Sequence, residues 1–131
     1  MVEHRIDWER ASRTGASEAV LCEPKSPAQI DAIVAHALEL SRRLLFTRLG
    51  EDKFERLSPT SRGALDFEPV SRTAVLGGLP APAAEPRVAI VAGGTSDSPV
   101  AREAARTLAF EGEAATLVLD VGVAGLWRLT E

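Results

Sequence analysis

The chain has 131 residues, of which 45% are hydrophobic and 26% are charged, and its formal net charge is −4. This length predicts one ordinary domain or two small lobes with an apolar core, and the acidic balance argues against broad, nonspecific nucleic-acid binding. A single cysteine, Cys22, excludes an internal disulfide framework and is typical of a reducing compartment. Because the sequence has neither a membrane-spanning apolar run nor a signal-peptide core, we expect a soluble protein of the cytoplasm.

The first lobe, about residues 1–76, is predicted to be a small α/β or α+β sheet with one main helix. Ser26-Pro27-Ala28-Gln29 combines an N-cap hydroxyl, a proline at the first helical position and a glutamine at the third, which is a capping box. The helix should run to about residue 41, with one apolar face made by Ile30, Ile33, Val34, Ala37 and Leu38. Around it we predict a short helix at 53–57 and short strands at 18–22, 43–47, 63–67 and 73–76.

Residues 77–87 separate this lobe from the rest of the chain. They hold three prolines and two glycines, a composition that removes backbone donors and favours an extended linker. We therefore expect the second piece of the protein to occupy residues 88–131.

The second piece has the pattern of one βαβ unit, whose crossover should be right-handed. Residues 88–92 are apolar throughout, as in a strand covered on both faces. A helix over about 98–111 follows and ends at Gly112, and residues 115–119 form the second apolar strand. Residues 126–131 should begin a further helix. The apolar face predicted for the first of these helices consists of Val100, Ala101, Ala104, Ala105 and Leu108.

Two loops of this unit follow the carboxyl ends of its strands, where open α/β sheets bind their ligands. In the first loop, Gly93 and Gly94 permit a sharp turn and Pro99 suits the first helical position. Such a loop aims backbone N–H groups and a helix dipole at one point, which suits phosphate; an ordinary turn with Asp97 or Ser98 as N-cap explains the same residues. The spacing is not that of a dinucleotide fingerprint. The residues predicted to bind a ligand are Gly93, Gly94, Thr95, Ser96, Asp97, Asp120, Gly122, Val123, Ala124 and Gly125.

The remaining polar groups give weaker indications. His4 and His36 have no cysteine or carboxylate at metal-ligand spacing, so we predict no metal site. Cys22 ends an apolar strand and is interpreted as a small buried hydrophobe. The cations that could contact a phosphate, or could equally be solvated, are Arg5, Arg10, Arg13 and Lys25.

Several of these stretches together resemble a known family, the phosphoribosylaminoimidazole (AIR) carboxylase-like proteins. Gly94-Thr-Ser-Asp97, Pro99-Val100 and the run from Asp120 to Leu129 are similar to the opening of that domain. More closely, they are similar to the branch that makes the nickel-pincer nucleotide of lactate racemase, the pyridinium-3,5-biscarboxylic acid mononucleotide synthases. Its N-terminal signature is matched by Asp7, Arg10, Arg13, Gly15 and the run 18–27.

The resemblance implies a flavodoxin-like or Rossmann-like three-layer parallel sheet, of which residues 88–131 would be the first βαβ unit. It also implies an enzyme that carboxylates the pyridinium ring of nicotinic acid adenine dinucleotide with CO2 or bicarbonate and hydrolyses its phosphoanhydride to release AMP. Mg²⁺ could accompany the dinucleotide, and no bound cofactor is expected. The symmetric assemblies of the family also imply a homo-oligomer. From the net charge and the lack of a membrane-spanning apolar run, we expect neither nucleic acid nor membrane as a partner. In AIR carboxylases the Ser-Asp pair binds the ribose phosphate, which corresponds here to Ser96 and Asp97.

Three departures distinguish this chain from the AIR carboxylases and their relatives. Gly94 stands where AIR carboxylases have a serine, and Val121-Gly122-Val123 replaces their Ser-Ala-His, so the purine reaction is not expected. Trp127 stands where the nickel-pincer branch would have a histidine.

Length is the remaining difference. Members of the family are longer, and the cysteine that adds to the pyridinium ring belongs to their downstream half, so we expect it beyond residue 131 and expect this chain alone to be inactive. Two other functions remain open: a noncatalytic nucleotide-binding or regulatory module, and an assembly domain.

Overall fold

The computed structural model describes residues 3–130 and divides the chain into two compact units, Met1–Gly78 and Leu79–Glu131. Met1, Val2 and Glu131 lie outside the described residues, so the predicted C-terminal helix is described only as far as residue 130. Both units combine helices with strands, and the predicted α/β class is confirmed. None of the helices in the described part of the chain has the length and hydropathy needed to cross a membrane.

The first unit is a four-stranded mixed sheet with four helices. Its strands are β1 (Ala19–Leu21), β2 (Leu44–Thr47), β3 (Leu65–Glu68) and β4 (Thr73–Leu76), in the spatial order β1-β2-β4-β3. β1 and β2 are parallel, whereas β4 is antiparallel to both β2 and β3. The helices are α1 (Arg10–Thr14), α2 (Pro27–Glu39), α3 (Glu51–Glu55) and α4 (Pro59–Ala64).

Helix α2 begins with the predicted capping box. The Ser26 hydroxyl accepts from the Gln29 N–H at 3.2 Å, and the Gln29 side chain accepts from the Ser26 N–H at 2.9 Å. The helix ends at Glu39, two residues earlier than predicted, because Ser41 takes a left-handed conformation with φ of 52°. Leu38, which was predicted on the apolar face, is 42% exposed.

The core of this unit lies between one face of the sheet and α2. Ile30, Ile33, Val34 and Ala37 of α2 are fully buried in it. The strand residues of the same cluster alternate along each strand, as the pleat requires; they are Val20, Leu44, Phe46, Leu65, Ala74 and Leu76. On the other face of the two middle strands, Leu45 and Val75 are also buried.

Helix α4 replaces part of a predicted strand. Residues 63–67 were predicted to be extended, but Gly63 and Ala64 belong to α4 and only the residues from Leu65 are strand. The Ser58 hydroxyl accepts from the Ser61 N–H at 3.2 Å, so Ser58-Pro59 begins a helix in the same way as Ser26-Pro27. α1 was not predicted at all, and α3 begins two residues earlier than expected.

The second unit contains the predicted βαβ pattern. β5 (Val88–Val91) and β6 (Ala115–Val118) are parallel, with Ile90 opposite Leu117. α5 (Ser98–Phe110) connects them and packs against both strands, and α6 (Trp127–Thr130) follows β6. Residues 79–87, in the predicted linker, belong to this unit, and the Ala83 N–H donates to the Gly112 carbonyl at 3.2 Å.

One face of the two-stranded sheet is open. Val91 is 61% and Val118 37% exposed, so the expectation of a strand buried on both faces is wrong for β5. On α5, Val100 and Ala104 are likewise exposed instead of buried, because two strands offer a surface narrower than the predicted apolar face. Ala101 and Phe110 are the fully buried residues of this helix.

The capping box of α2 yields the first testable prediction. Ser26→Ala removes the acceptor of the Gln29 N–H and should lower the free energy of unfolding of the first unit by about 1 kcal/mol. Urea denaturation followed by circular dichroism measures this, with Ser26→Thr as a control that keeps the hydroxyl. An unchanged midpoint in the alanine variant would show that the capping bond does not stabilise the unit.

Candidate functional site

The first candidate loop leads from β5 into α5. Ala92, at its start, is buried, and residues 95–97 form a single 3-10 turn. The Asp97 carboxylate accepts from the Gly94 N–H at 3.2 Å and so closes the loop on itself. Asp97 precedes α5 but makes no side-chain capping bond to it. The carboxylate thus stabilises the loop, and not the first turn of the long helix.

The second candidate loop lies directly against the first. The Val121 N–H donates to the Ala92 carbonyl at 3.1 Å. At Gly122, a Cβ atom would lie only 2.7 Å from the carbonyl oxygen of Gly93, so glycine is required for this approach. The two loops that were predicted at neighbouring strand ends are therefore in contact.

Arg128, which sequence reasoning did not select, holds the second loop in place. Its Nη1 donates to Asp120 Oδ1 at 2.9 Å, and its guanidinium lies so close to Gly125 that a Cβ there would be 2.7 Å from Nε. Asp120 itself has a left-handed backbone with φ of 58°. A short polar side chain tolerates this conformation, and the ion pair orients it. The only sequence signal was an arginine one turn beyond a glycine-rich loop.

Three large apolar side chains in and directly after the second loop are exposed. Val123 is 79%, Leu126 62% and Trp127 63% exposed. An indole with this exposure offers an apolar ring face to a ligand. Nothing in the sequence except the departure from the family pattern pointed to Trp127.

The two histidines of the first unit meet, although 32 residues separate them. His4 Nε2 lies 3.1 Å from His36 Nδ1, and the Trp8 and His36 rings form a T-shaped pair with their centroids 6.0 Å apart. Among residues 3–130 there is no group of three or more His, Cys, Asp or Glu side chains that could hold a metal ion. The contact between His4 and His36 links the N-terminal segment to α2.

Two of the candidate cations of the first unit line the same groove, and a third forms an ion pair. Arg13 forms an ion pair with Asp7, and Arg5 and Lys25 line a groove beside β1. Lys53, which was not a candidate, donates to the carbonyls of Cys22 and Glu23 at 2.9 Å each.

Cys22 is fully buried, in agreement with its interpretation as a small hydrophobe. Burial raises the pKa of its thiol to about 12, although Lys53 and Lys25 oppose the shift. Because the thiolate and not the thiol is nucleophilic, Cys22 does not supply a nucleophile near neutral pH.

The contact between the loops gives a direct test. Gly122→Ala places a methyl group against the Gly93 carbonyl, and relieving that clash should cost about 1–3 kcal/mol. We expect the Val121 amide to lose hydrogen-exchange protection. Gly94→Ala is the matched control, because a Cβ there would meet nothing nearer than Ser96 Oγ at 3.8 Å. Equal protection in both variants would mean that the loops do not touch.

Comparison with models of protein families gives a match within the first unit. The model of the LarB/PurE-like N-terminal domain matches residues 2–77. Comparison with curated proteins finds no match. The family match covers the first unit, and the loops at 93–98 and 120–125 lie outside the matched residues.

Proposed function

The chain belongs to the LarB/PurE-like family, and we propose that its second unit binds the nucleotide substrate of a carboxylase. The family relation to carboxylases supports the reaction class. The observation that carries the proposal is the contact between Gly122 and Gly93, because it brings together two loops at the carboxyl ends of parallel strands. This is the edge at which open α/β sheets bind ligands.

The proposed substrate is nicotinic acid adenine dinucleotide, and the proposed pathway is nickel-pincer nucleotide biosynthesis. Carboxylation forms a bond between the carbon of CO2 and a pyridinium ring carbon, and that ring carbon loses its proton. Hydrolysis adds water to the phosphoanhydride and releases AMP from the pyridinium mononucleotide. Cys22 is buried and protonated, so within this chain we assign binding, and not covalent chemistry, to the described residues.

The first loop suits the anionic part of such a substrate. It precedes α5, a 13-residue helix whose N-terminus carries a partial positive charge. The hydroxyls of Thr95 and Ser96 would add donors to a phosphate. Asp97 uses Oδ2 to close the loop, so its Oδ1 is the atom that would accept from a ribose hydroxyl.

Trp127 is suited to contact the positively charged pyridinium ring of the proposed substrate. A pyridinium ring carries a positive charge, and indole faces attract cations more strongly than other aromatic side chains do. With 63% of its surface exposed, Trp127 has a ring available for such stacking. Arg128 Cζ lies 5.9 Å from the same ring centroid, so the ligand would stack where this cation does not cover the indole.

Asp97 provides the test of this site. Asp97→Ala should weaken binding of nicotinic acid adenine dinucleotide by about tenfold or more, because it removes a hydrogen bond to the ligand as well as the loop closure. Isothermal titration measures the affinity, and thermal melting measures the accompanying loss of stability, which we expect to be about 1 kcal/mol. Asp97→Asn is the matched control for loop closure, since its amide oxygen still accepts from the Gly94 N–H. Equal dinucleotide affinity in wild type and Asp97→Ala would remove Asp97 from the site.

A second candidate function, assembly with other subunits, is favoured by the open sheet face. Val91 and Val118 are exposed side by side on paired positions of β5 and β6, and sheets with parallel strands normally have both faces covered. Unpaired apolar strands recruit other chains.

Light scattering tests the assembly function. The purified chain should associate, and Val91→Lys should shift it toward monomer, whereas Arg62→Lys, a charge-conserving change on α4, should not. A monodisperse wild-type monomer with strong hydrogen-exchange protection over residues 88–118 would contradict it.

A further inference from the structure

A groove of about 980 Å³ lies in the first unit, between strand β1 and helix α2. The N-terminal segment, including Ile6, forms its third wall. We propose that this groove binds an extended segment of a partner protein, which adds to the sheet as a further strand beside β1. This proposal is independent of the nucleotide site proposed for the second unit.

The first observation is the open edge of β1. Among residues 3–130, β1 pairs only with β2, so its other edge has no neighbouring strand. The Cys22 N–H donates to the Thr47 carbonyl at 2.9 Å, and alternation along a strand then directs the backbone groups of Ala19 and Leu21 away from β2. These are the donors and acceptors that an added strand requires.

The second observation is the shape and polarity of the groove surface that α2 and β1 form. On α2, Ala28 and Ala32 line the groove one turn apart, and their small side chains leave room for a second backbone. On β1, Leu21 lines the same groove and is 49% exposed. A segment with small apolar side chains would cover this surface and take Leu21 out of water.

The third observation is charge. Glu18 precedes β1 and Lys25 follows its end, and both line the groove, whose N-terminal wall adds Glu3 and Arg5. Glu18 Oε2 accepts from the Asp7 N–H. Glu3, on the third wall, interacts with the Gln29 amide at 3.4 Å. The partner segment should therefore carry an acidic side chain near Lys25 and a basic side chain near Glu18.

The size of the edge favours a single segment over a second copy of the chain. β1 has only three residues, and a stable dimer normally buries roughly 800 Å² on each partner. Antiparallel pairing is somewhat more stable per residue than parallel pairing. An antiparallel segment would begin near Lys25 and end near Glu18, so its acidic residue comes first and its basic residue comes last.

A blocked hexapeptide, acetyl-Glu-Val-Ala-Val-Ala-Lys-amide, is the probe for this groove. Titrated into the 15N-labelled chain, it should shift the amide resonances of residues 19–21 and 28–33. Lys25→Glu should weaken binding about tenfold, because it replaces an attraction with a repulsion. The peptide acetyl-Lys-Val-Ala-Val-Ala-Lys-amide should restore binding to that variant. Arg62→Glu makes the same change in net charge on α4 and should leave the affinity unchanged.

Two further variants test the shape of the groove without relying on charge. Ala32→Gln places a longer side chain in the groove and should abolish peptide binding. Because glutamine is a good helix former, the substitution should not lower the melting temperature. Ala35→Gln, at an exposed position of the same helix outside the groove, should bind normally.

Three results would overturn the proposal. The first is equal affinity of wild type, Lys25→Glu and Ala32→Gln. The second is the absence of shifts at millimolar peptide, or shifts confined to other residues. The third is a dimer in solution whose β1 amides are protected without peptide, which would assign the edge to a second copy of the chain.

Discussion

Parallel strands cannot be joined by a tight turn, and the crossover between them has to cover one face of the sheet. Both units of this chain are built on that constraint. In the first unit α2 connects β1 to β2 and buries Ile30, Ile33 and Val34 against the strands. The antiparallel hairpin of β3 and β4 then widens the sheet, and the middle strands β2 and β4 are buried on both faces. In the second unit α5 likewise covers one face of β5 and β6, but the opposite face is open and Val91 remains exposed.

The contact between the two loops follows from the same geometry. Because β5 and β6 run in the same direction, their carboxyl ends lie at one edge, and the segments that leave them have to pass each other closely. Gly122 permits this against Gly93, and Arg128 fixes the rest of the second loop through Asp120. Asp97 stabilises the first loop by accepting from Gly94. A carboxylate with one oxygen committed in this way is oriented before any ligand arrives, which lowers the entropic cost of binding.

Sequence reasoning succeeded where the signal was local. Ser26 to Gln29 predicted the start of α2 because a capping box is complete within four residues, and apolar runs together with glycines predicted the order of β5, α5 and β6. It failed at α4, where Gly63 was interpreted as the start of a strand although Ser58-Pro59 carries the same kind of start signal. Short helices contain too few residues for periodicity to distinguish them.

Long-range contacts could not be predicted. His4 meets His36 across 32 residues of sequence. Even the ion pair of Arg128 with Asp120, which spans a short stretch of sequence, depends on a left-handed residue that no pattern identified. The exposure of Val100 on α5 depends on the number of strands in the sheet, which the sequence of the helix does not contain.

The distribution of reactive groups separates binding from chemistry within the chain. Its one cysteine is sealed in the core of the first unit, where burial raises the pKa of the thiol to about 12. The loops of the second unit carry backbone N–H groups, hydroxyls and carboxylates, which are groups suited to hold phosphates and ribose hydroxyls. None of these is a strong nucleophile without an adjacent base, and the histidines of the described residues are paired with each other in the first unit. A ligand at the loops would therefore be held and oriented by this chain, while covalent attack on a pyridinium ring would require a nucleophile other than Cys22.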